Sequence, residues 1–207
     1  SIGEHTRQNA VFLSWWDNSQ RLHFMTGRNV WANAPIAAAY ETHDEKELWR
    51  EIGGGFASET SNLTLLAKWF MSDAGKGLEQ IKKIIPSEKT TYFLTSMDDL
   101  ARIQELSILA DRPLQLQSRV FRSTENVHTL ISAVKSWAKE GGTGSYLVQP
   151  FPGVGVRAWR ILDKKDENLL FIRLLPFTHS LESPLDGVTM VFRSDWGGYI
   201  SIYQLDR

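Results

Sequence analysis

The segment from residue 91 to residue 110 places a strand directly before a helix, and this constrains the fold more than any other feature. Residues 91–95 are β-branched and aromatic, which favours a buried strand. Ser96 follows as the predicted N-cap of a helix, with Asp98 and Asp99 in the first turn, where acidic side chains offset the helix dipole. A strand that leads straight into a helix predicts a unit in which helices pack on a sheet.

A second apolar run, residues 11–16, predicts another short buried strand, which ends in a polar turn at residues 17–19. Apolar side chains then recur at helical spacing, and Pro86 ends the last helix of this half. The other elements predicted here are a turn at 27–29, helices over 45–52, 64–71 and 77–85, and a glycine loop at 53–55.

The pattern changes beyond Pro113. One helix, residues 125–139, ends at the glycine pair Gly141 and Gly142, and short β-type runs separated by polar turns follow it. The predicted strands cover 146–148, 156–162, 169–174, 188–192 and 199–203, with hairpin loops at 163–168 and 195–198. Strands at this spacing favour an antiparallel sheet or a partial barrel.

The predicted fold class is therefore α+β. Residues 1–112 form an α/β core with helices on a small sheet, and residues 113–207 form an antiparallel β-rich part with one helix. A chain of 207 residues is long enough to bury a substantial core.

Composition narrows the chemistry. The chain has no cysteine, which excludes disulfides and thiolate catalysis, and its five histidines show no metal-binding spacing. A net charge of -1 gives no electrostatic reason to expect nucleic acid as a partner. We predict no catalytic residues and no metal site within this chain.

One local pattern does suggest a binding site. Trp15, Trp16 and Asp17 bring two indole N–H donors and one carboxylate acceptor to the end of the predicted strand. That combination suits a small hydroxyl-bearing group. The alternative is that the indoles are core side chains and Asp17 only begins a turn.

The run from Ser14 to Asp17 resembles the Trp-Trp-Asp-Tyr-Gly signature in the extracytoplasmic domain of the oligosaccharyltransferase catalytic subunit. That enzyme moves a lipid-linked glycan onto asparagine. In the family, the signature leads to a glycine turn, a helix pair and a buried strand, similar to residues 27–30, 66–84 and 92–95 here. The resemblance covers residues 11–110 and departs at Asn18 and Ser19, where the family has Tyr-Gly.

A second motif of that family, Asp-x-x-Lys-x-x-x-Met/Ile, resembles the series Asp99, Arg102 and Leu106. Their spacing of three and four places these side chains on one helical face. Arginine replaces lysine here, and the two cations differ in geometry.

The resemblance implies a role for each of these residues. Trp15, Trp16 and Asp17 would bind the hydroxyl of the Ser or Thr two positions after the acceptor asparagine, and Arg102 and Leu106, on the helix begun by Asp99, would complete that pocket. Catalytic acids and the divalent metal of the family belong to its transmembrane part. This chain would therefore hold no cofactor and be inactive alone.

The resemblance also implies partners and a location. The expected partners are the transmembrane domain of the same protein, an acceptor polypeptide and a lipid-linked glycan. The expected location is the extracytoplasmic face of a membrane, periplasmic or at the cell surface. Two alternatives stay open: a related membrane glycosyltransferase with a different acceptor, and a non-catalytic extracytoplasmic sensor or carbohydrate-binding module.

Overall fold

The computed structural model describes residues 2–32, 56–122, 126–151, 153–176, 181, 184–194 and 199–207. The predicted helix over 45–52, the glycine loop at 53–55 and the hairpin loop at 195–198 lie outside the described residues.

Helices and strands both contribute to the fold, which is α+β as predicted. The helices are α1 Ile2–His5, α2 Trp16–Thr26, α3 Phe56–Phe70, α4 Ala74–Ile84, α5 Ile103–Leu109, α6 Val127–Glu140 and α7 Leu170–Leu174, with 3-10 segments at Met97–Arg102 and Lys164–Asn168. The strands are β1 Val11–Leu13, β2 Asn29–Val30, β3 Thr91–Ser96, β4 Leu116–Arg122, β5 Tyr146–Phe151, β6 Gly155–Ile161, β7 Val188–Arg193 and β8 Ile200–Leu205.

The main sheet has the strand order β2-β1-β3-β8-β7 among the described residues. β1 pairs in parallel with β2 and β3, whereas β3, β8 and β7 pair antiparallel. The last two strands of the chain thus complete a sheet that begins near its N-terminus. The predicted domain boundary after residue 112 stays a prediction, and this sheet takes strands from both sides of it.

The two faces of the main sheet are covered differently. On one face, Phe12, Tyr92 and Ile202 pack with Leu22 of helix α2. The other face carries the main core, in which helices α3, α4 and α7 pack on the sheet. At its centre the ring of Phe70 lies 6.4 Å from that of Phe93 and 5.5 Å from that of Phe171.

The second sheet is antiparallel, in the order β4-β6-β5, and helix α6 packs on it. The Arg160 guanidinium lies 4.8 Å from the Trp137 ring and donates to the Trp137 carbonyl. A Cβ at Gly141 would meet that guanidinium at 2.7 Å, and one at Gly142 would meet the Ile161 carbonyl oxygen at 2.7 Å. Close approach of the backbone explains Gly142, whereas the arginine side chain near Gly141 could move aside.

Several elements of the fold differ from the sequence predictions. Residues 17–19 belong to the first turn of α2 rather than to a polar turn, because Trp15 is extended and its carbonyl accepts from the Ser19 N–H at 2.9 Å. Residues 163–168 hold a 3-10 helix instead of a hairpin loop, since the Asp163 side chain caps it by accepting from the Lys165 N–H.

The run 169–174 is a helix, not the predicted strand. All its side chains except Arg173 are buried, and a short apolar run of this kind has no periodicity that separates a buried helix from a buried strand. Strand β4 was missed because it lies mostly at the surface and carries polar side chains. The predicted strands at β5, β6, β7 and β8 are confirmed, as are the predicted helices at α4 and α6.

Two glycines of helix α4 give a matched test of the packing. A Cβ at Gly77 would lie 2.8 Å from the Trp69 carbonyl oxygen and 3.0 Å from a Leu170 methyl carbon, whereas one at Gly75 would meet only the Asp73 carboxylate at 3.6 Å. We expect Gly77→Ala to lower the free energy of unfolding by about 1–3 kcal/mol, as overpacking does.

Gly75→Ala is the control for this change. It adds the same methyl group to the same helix at an exposed position, so stability should hold or rise by up to about 1 kcal/mol. Urea unfolding of both variants measures the difference. Equal stabilities would show that α4 does not pack against α7 as described.

Candidate functional site

The start of helix α2 lies against the segment that follows strand β3, and side chains from both sides meet there. We call this set the tryptophan–carboxylate cluster. Its members are Trp15, Trp16, Asp17, Asn18, Asp99, Arg102 and Glu105.

Glu105 is the shared acceptor of the cluster. Its Oε2 accepts from the indole Nε1 of Trp15 at 3.3 Å and of Trp16 at 3.5 Å. Its Oε1 accepts from Nη1 of Arg102 at 3.0 Å. The indole of Trp15 is completely buried, so this bond satisfies a donor that would otherwise lie unpaired in the core.

Arg102 lies at the outer edge of the cluster. Its guanidinium carbon is 5.9 Å from the centre of the Trp16 ring, and its Nε is 4.0 Å from Oδ2 of Asp17. The Arg102 side chain is 42% exposed and that of Asp17 20% exposed. An ion pair this open to solvent contributes at most about 1 kcal/mol to stability.

Asn18 joins helix α2 to the N-cap at Ser96. Its Nδ2 donates to Oδ1 of Asp99 at 2.8 Å and to Oγ of Ser96 at 3.2 Å. Oδ2 of Asp99 accepts from the Ser96 N–H at 2.7 Å and completes a capping box. The residue at which this chain departs from the Trp-Trp-Asp-Tyr-Gly signature is therefore a structural link.

Asp99 titrates unusually for an aspartate. Burial raises its pKa to about 7, an effect that the Ser96 N–H opposes and that the negative charges of Asp17 and Asp98 reinforce. The buried carboxyl group thus changes its charge near neutral pH, next to the bond from Asn18 that holds helix α2.

The structure brings most of the predicted site residues together. Trp15, Trp16 and Arg102 contact Glu105, Asp17 lies beside Arg102, and Asp99 is linked to Asp17 through Asn18. Leu106 is completely buried in the main core, so contact with a bound substrate would require that core to open. A role of these residues in binding an acceptor stays a prediction.

Sequence reasoning missed Glu105 and Asn18. Glu105 stands three residues after Arg102 on a helix, a spacing at which opposite charges pair, and this signal was available. Asn18 gave no signal, because its partners Ser96 and Asp99 lie about eighty residues away in the chain.

In the part of the chain that the structure describes, no helix is long and apolar enough to cross a membrane. No group of three or more His, Asp or Glu side chains within the same described residues is placed to hold a metal ion. The cluster is instead a set of polar groups that pair with one another inside an α+β fold.

The sequence identifies the family. Residues 1–205 match the model of the family described as HaoA-associated protein HaoB. The chain belongs to that family, which is not a family of oligosaccharyltransferases.

Two further comparisons concern curated proteins and solved structures. No curated protein matches the chain. The C-terminal domain of PglB from C. jejuni, a solved structure, shares 11% sequence identity and has a TM-score of 0.47, over 97% of this chain and 94% of that domain. Values this low do not establish a shared function.

The shifted titration of Asp99 gives a pH-dependent test. The Asp99 carboxyl group binds its proton more tightly in the native state than in the unfolded chain. Its contribution to the free energy of unfolding is therefore greatest below about pH 4 and is lost as pH rises through about 7. Between those limits, the free energy of unfolding falls with a slope that approaches about 1.4 kcal/mol per pH unit.

Asp99→Asn cannot ionise, and we expect it to remove this part of the slope. Chemical unfolding at a series of pH values measures the difference from the unmodified protein. Asp98→Asn, at an exposed position in the same turn, is the control and should keep most of the slope, since the charge of Asp98 is the smallest cause of the raised pKa. If Asp99→Asn keeps it as well, Asp99 has an ordinary pKa.

Proposed function

We propose that this chain is an accessory protein that binds a HaoA protein. The supporting observation is the family match over residues 1–205, since the family is described by its association with HaoA. For this chain, the association is a proposal.

The described surface is compatible with a binding role. Polar groups of the tryptophan–carboxylate cluster use one another as partners, with Glu105 accepting from three of them. Elsewhere, large apolar side chains lie in solvent: Phe24 is 91% exposed, Met25 79% and Ile108 65%. Adjacent exposed apolar residues such as Phe24 and Met25 are typical of surfaces that contact other proteins.

The test is a direct binding measurement. The chain and the HaoA protein from the same genome are purified separately, and calorimetric titration measures their affinity. We expect a dissociation constant of about 1 μM or lower, the range of specific protein complexes. Serum albumin at the same concentration is the control. No heat of binding and no co-elution at about 100 μM would contradict the proposal.

A second candidate function rests on the outer edge of the cluster. Asp17 Oδ1 accepts from the Asn18 N–H, whereas its Oδ2 lies 4.0 Å from Arg102, close enough for an attraction but not for a hydrogen bond. That oxygen has capacity for a hydroxyl donor beside the half-buried ring of Trp16.

In this second proposal, the corner recognises the Ser or Thr hydroxyl of a glycosylation sequon. The chain would then serve an oligosaccharyltransferase-type enzyme on the extracytoplasmic face of a membrane. Glycan transfer from the lipid carrier and the divalent metal would belong to a transmembrane part. The support is the sequence pattern at Trp15, Trp16 and Asp17 together with the position of Arg102.

Two peptides separate this function from the first. We expect a peptide containing Asn-Ala-Thr to bind at least tenfold more tightly than one containing Asn-Ala-Val, because valine matches threonine in shape but lacks the hydroxyl. Asp17→Ala should abolish the difference, and Asp98→Ala is the control. Titrations followed by NMR measure both affinities. Equal binding of the two peptides would exclude hydroxyl recognition.

A further inference from the structure

A groove of about 680 Å³ lies between helix α2 and the main sheet, and it runs along α2 from Asn18 of the tryptophan–carboxylate cluster to Arg28 after the helix. Its helix side carries Arg21, Leu22 and Met25, and Met25 follows the other two by four and three residues, which places it on the same side of the helix. Leu94 and Ile200 line it from the sheet, and Arg28 lines it from the turn after the helix.

The groove exists because α2 covers only part of one sheet face. Leu22 packs over Tyr92 and Ile202. Ile200 lies two residues from Ile202 on the same face of β8, beyond that contact, and remains 36% exposed. The helix ends at Gly27, whose positive φ of 64° turns the chain away.

Among the described residues, the charged side chains that line the groove are all positive. Arg21 forms no hydrogen bond or ion pair with any described residue. Among the described residues, the guanidinium of Arg28 donates only to the carbonyl oxygens of Arg7 and Thr6, which carry no net charge. No Asp or Glu is among the described residues that line the groove. This local excess contrasts with the whole chain, whose net charge is -1.

Exposed apolar side chains adjoin these cations. Met25 lines the groove and is 79% exposed, and Phe24 beside it is 91% exposed. Large side chains this exposed lose contact with water when a partner covers them, which favours association. Because Arg21 and Arg28 beside them are positively charged, a complementary partner carries negative charge.

We infer that this groove is the docking site for an acidic, apolar segment of a partner protein. Its carboxylates pair with Arg21 and Arg28, and its apolar side chains cover Met25, Leu94 and Ile200. The inference rests on the proposed function in one respect: the partner that carries this segment is HaoA.

The experiment compares two pairs of variants in titrations with purified HaoA. Arg21→Glu changes a residue that lines the groove, and Phe24→Ser changes the apolar side chain three residues further along α2. Both positions are exposed, so neither variant removes a core contact. Lys82→Glu and Val127→Ser make matched changes at exposed positions of α4 and α6. Thermal unfolding confirms that all four variants fold.

We expect each groove variant to lose at least tenfold in affinity and each control to bind within about twofold of the unmodified chain. Affinity of the unmodified chain should also fall as NaCl rises from about 50 mM to about 500 mM, because screening weakens the charge pairing. This result supports the groove as the docking site.

Three other results overturn the inference. Full affinity in both groove variants shows that HaoA binds elsewhere, and the proposed function then stands without the groove. No binding by the unmodified chain removes HaoA as the partner and the proposed function with it. If the chain does not bind HaoA but binds vesicles containing phosphatidylglycerol through Phe24 and Arg21, this surface binds a membrane instead.

Discussion

The carboxylates of Asp99 and Glu105 fix the position of helix α2, and much of the structure depends on them. Asp99 holds the helix through Asn18, and Glu105 holds it through the indoles of Trp15 and Trp16. Both acids belong to the segment that follows strand β3 at the centre of the main sheet. The N-terminal end of α2 is thereby anchored, and the groove runs along the helix from Asn18 toward its C-terminal end.

This arrangement separates a paired end of the helix from an open one. At the paired end, Glu105 accepts three hydrogen bonds and Asp99 is almost completely buried, so a ligand there must compete with existing partners. At the open end, Arg21 has no partner among the described residues and Phe24 lies in solvent. A partner at the open end gains contacts without breaking any, which is the physical reason to place recognition there.

The sequence was most informative where structure is local. Ser96 and Asp99 form a capping box from residues three apart, and this helix start was predictable. Helix α7 and strand β4 were not predictable from sequence. Contacts with distant parts of the chain decide whether a short apolar run forms a helix and whether a polar run pairs as a strand.

The candidate site shows the same division. The pattern at Trp15, Trp16, Asp17 and Arg102 identified side chains that do meet, but not the acceptor Glu105 that joins them. The spacing placed Leu106 on the same helical face as Asp99 and Arg102, but its side chain packs in the main core. Periodicity predicts which residues lie side by side on a helix, whereas tertiary packing decides which of them reach the surface.

Hydrogen exchange of the chain with and without bound HaoA tests most directly where recognition occurs. If the open end of α2 is the docking site, amides of residues 20–28 exchange more slowly in the complex and those of residues 102–106 are unchanged. Slower exchange at residues 102–106, with no change at 20–28, would contradict it and place recognition at the tryptophan–carboxylate cluster.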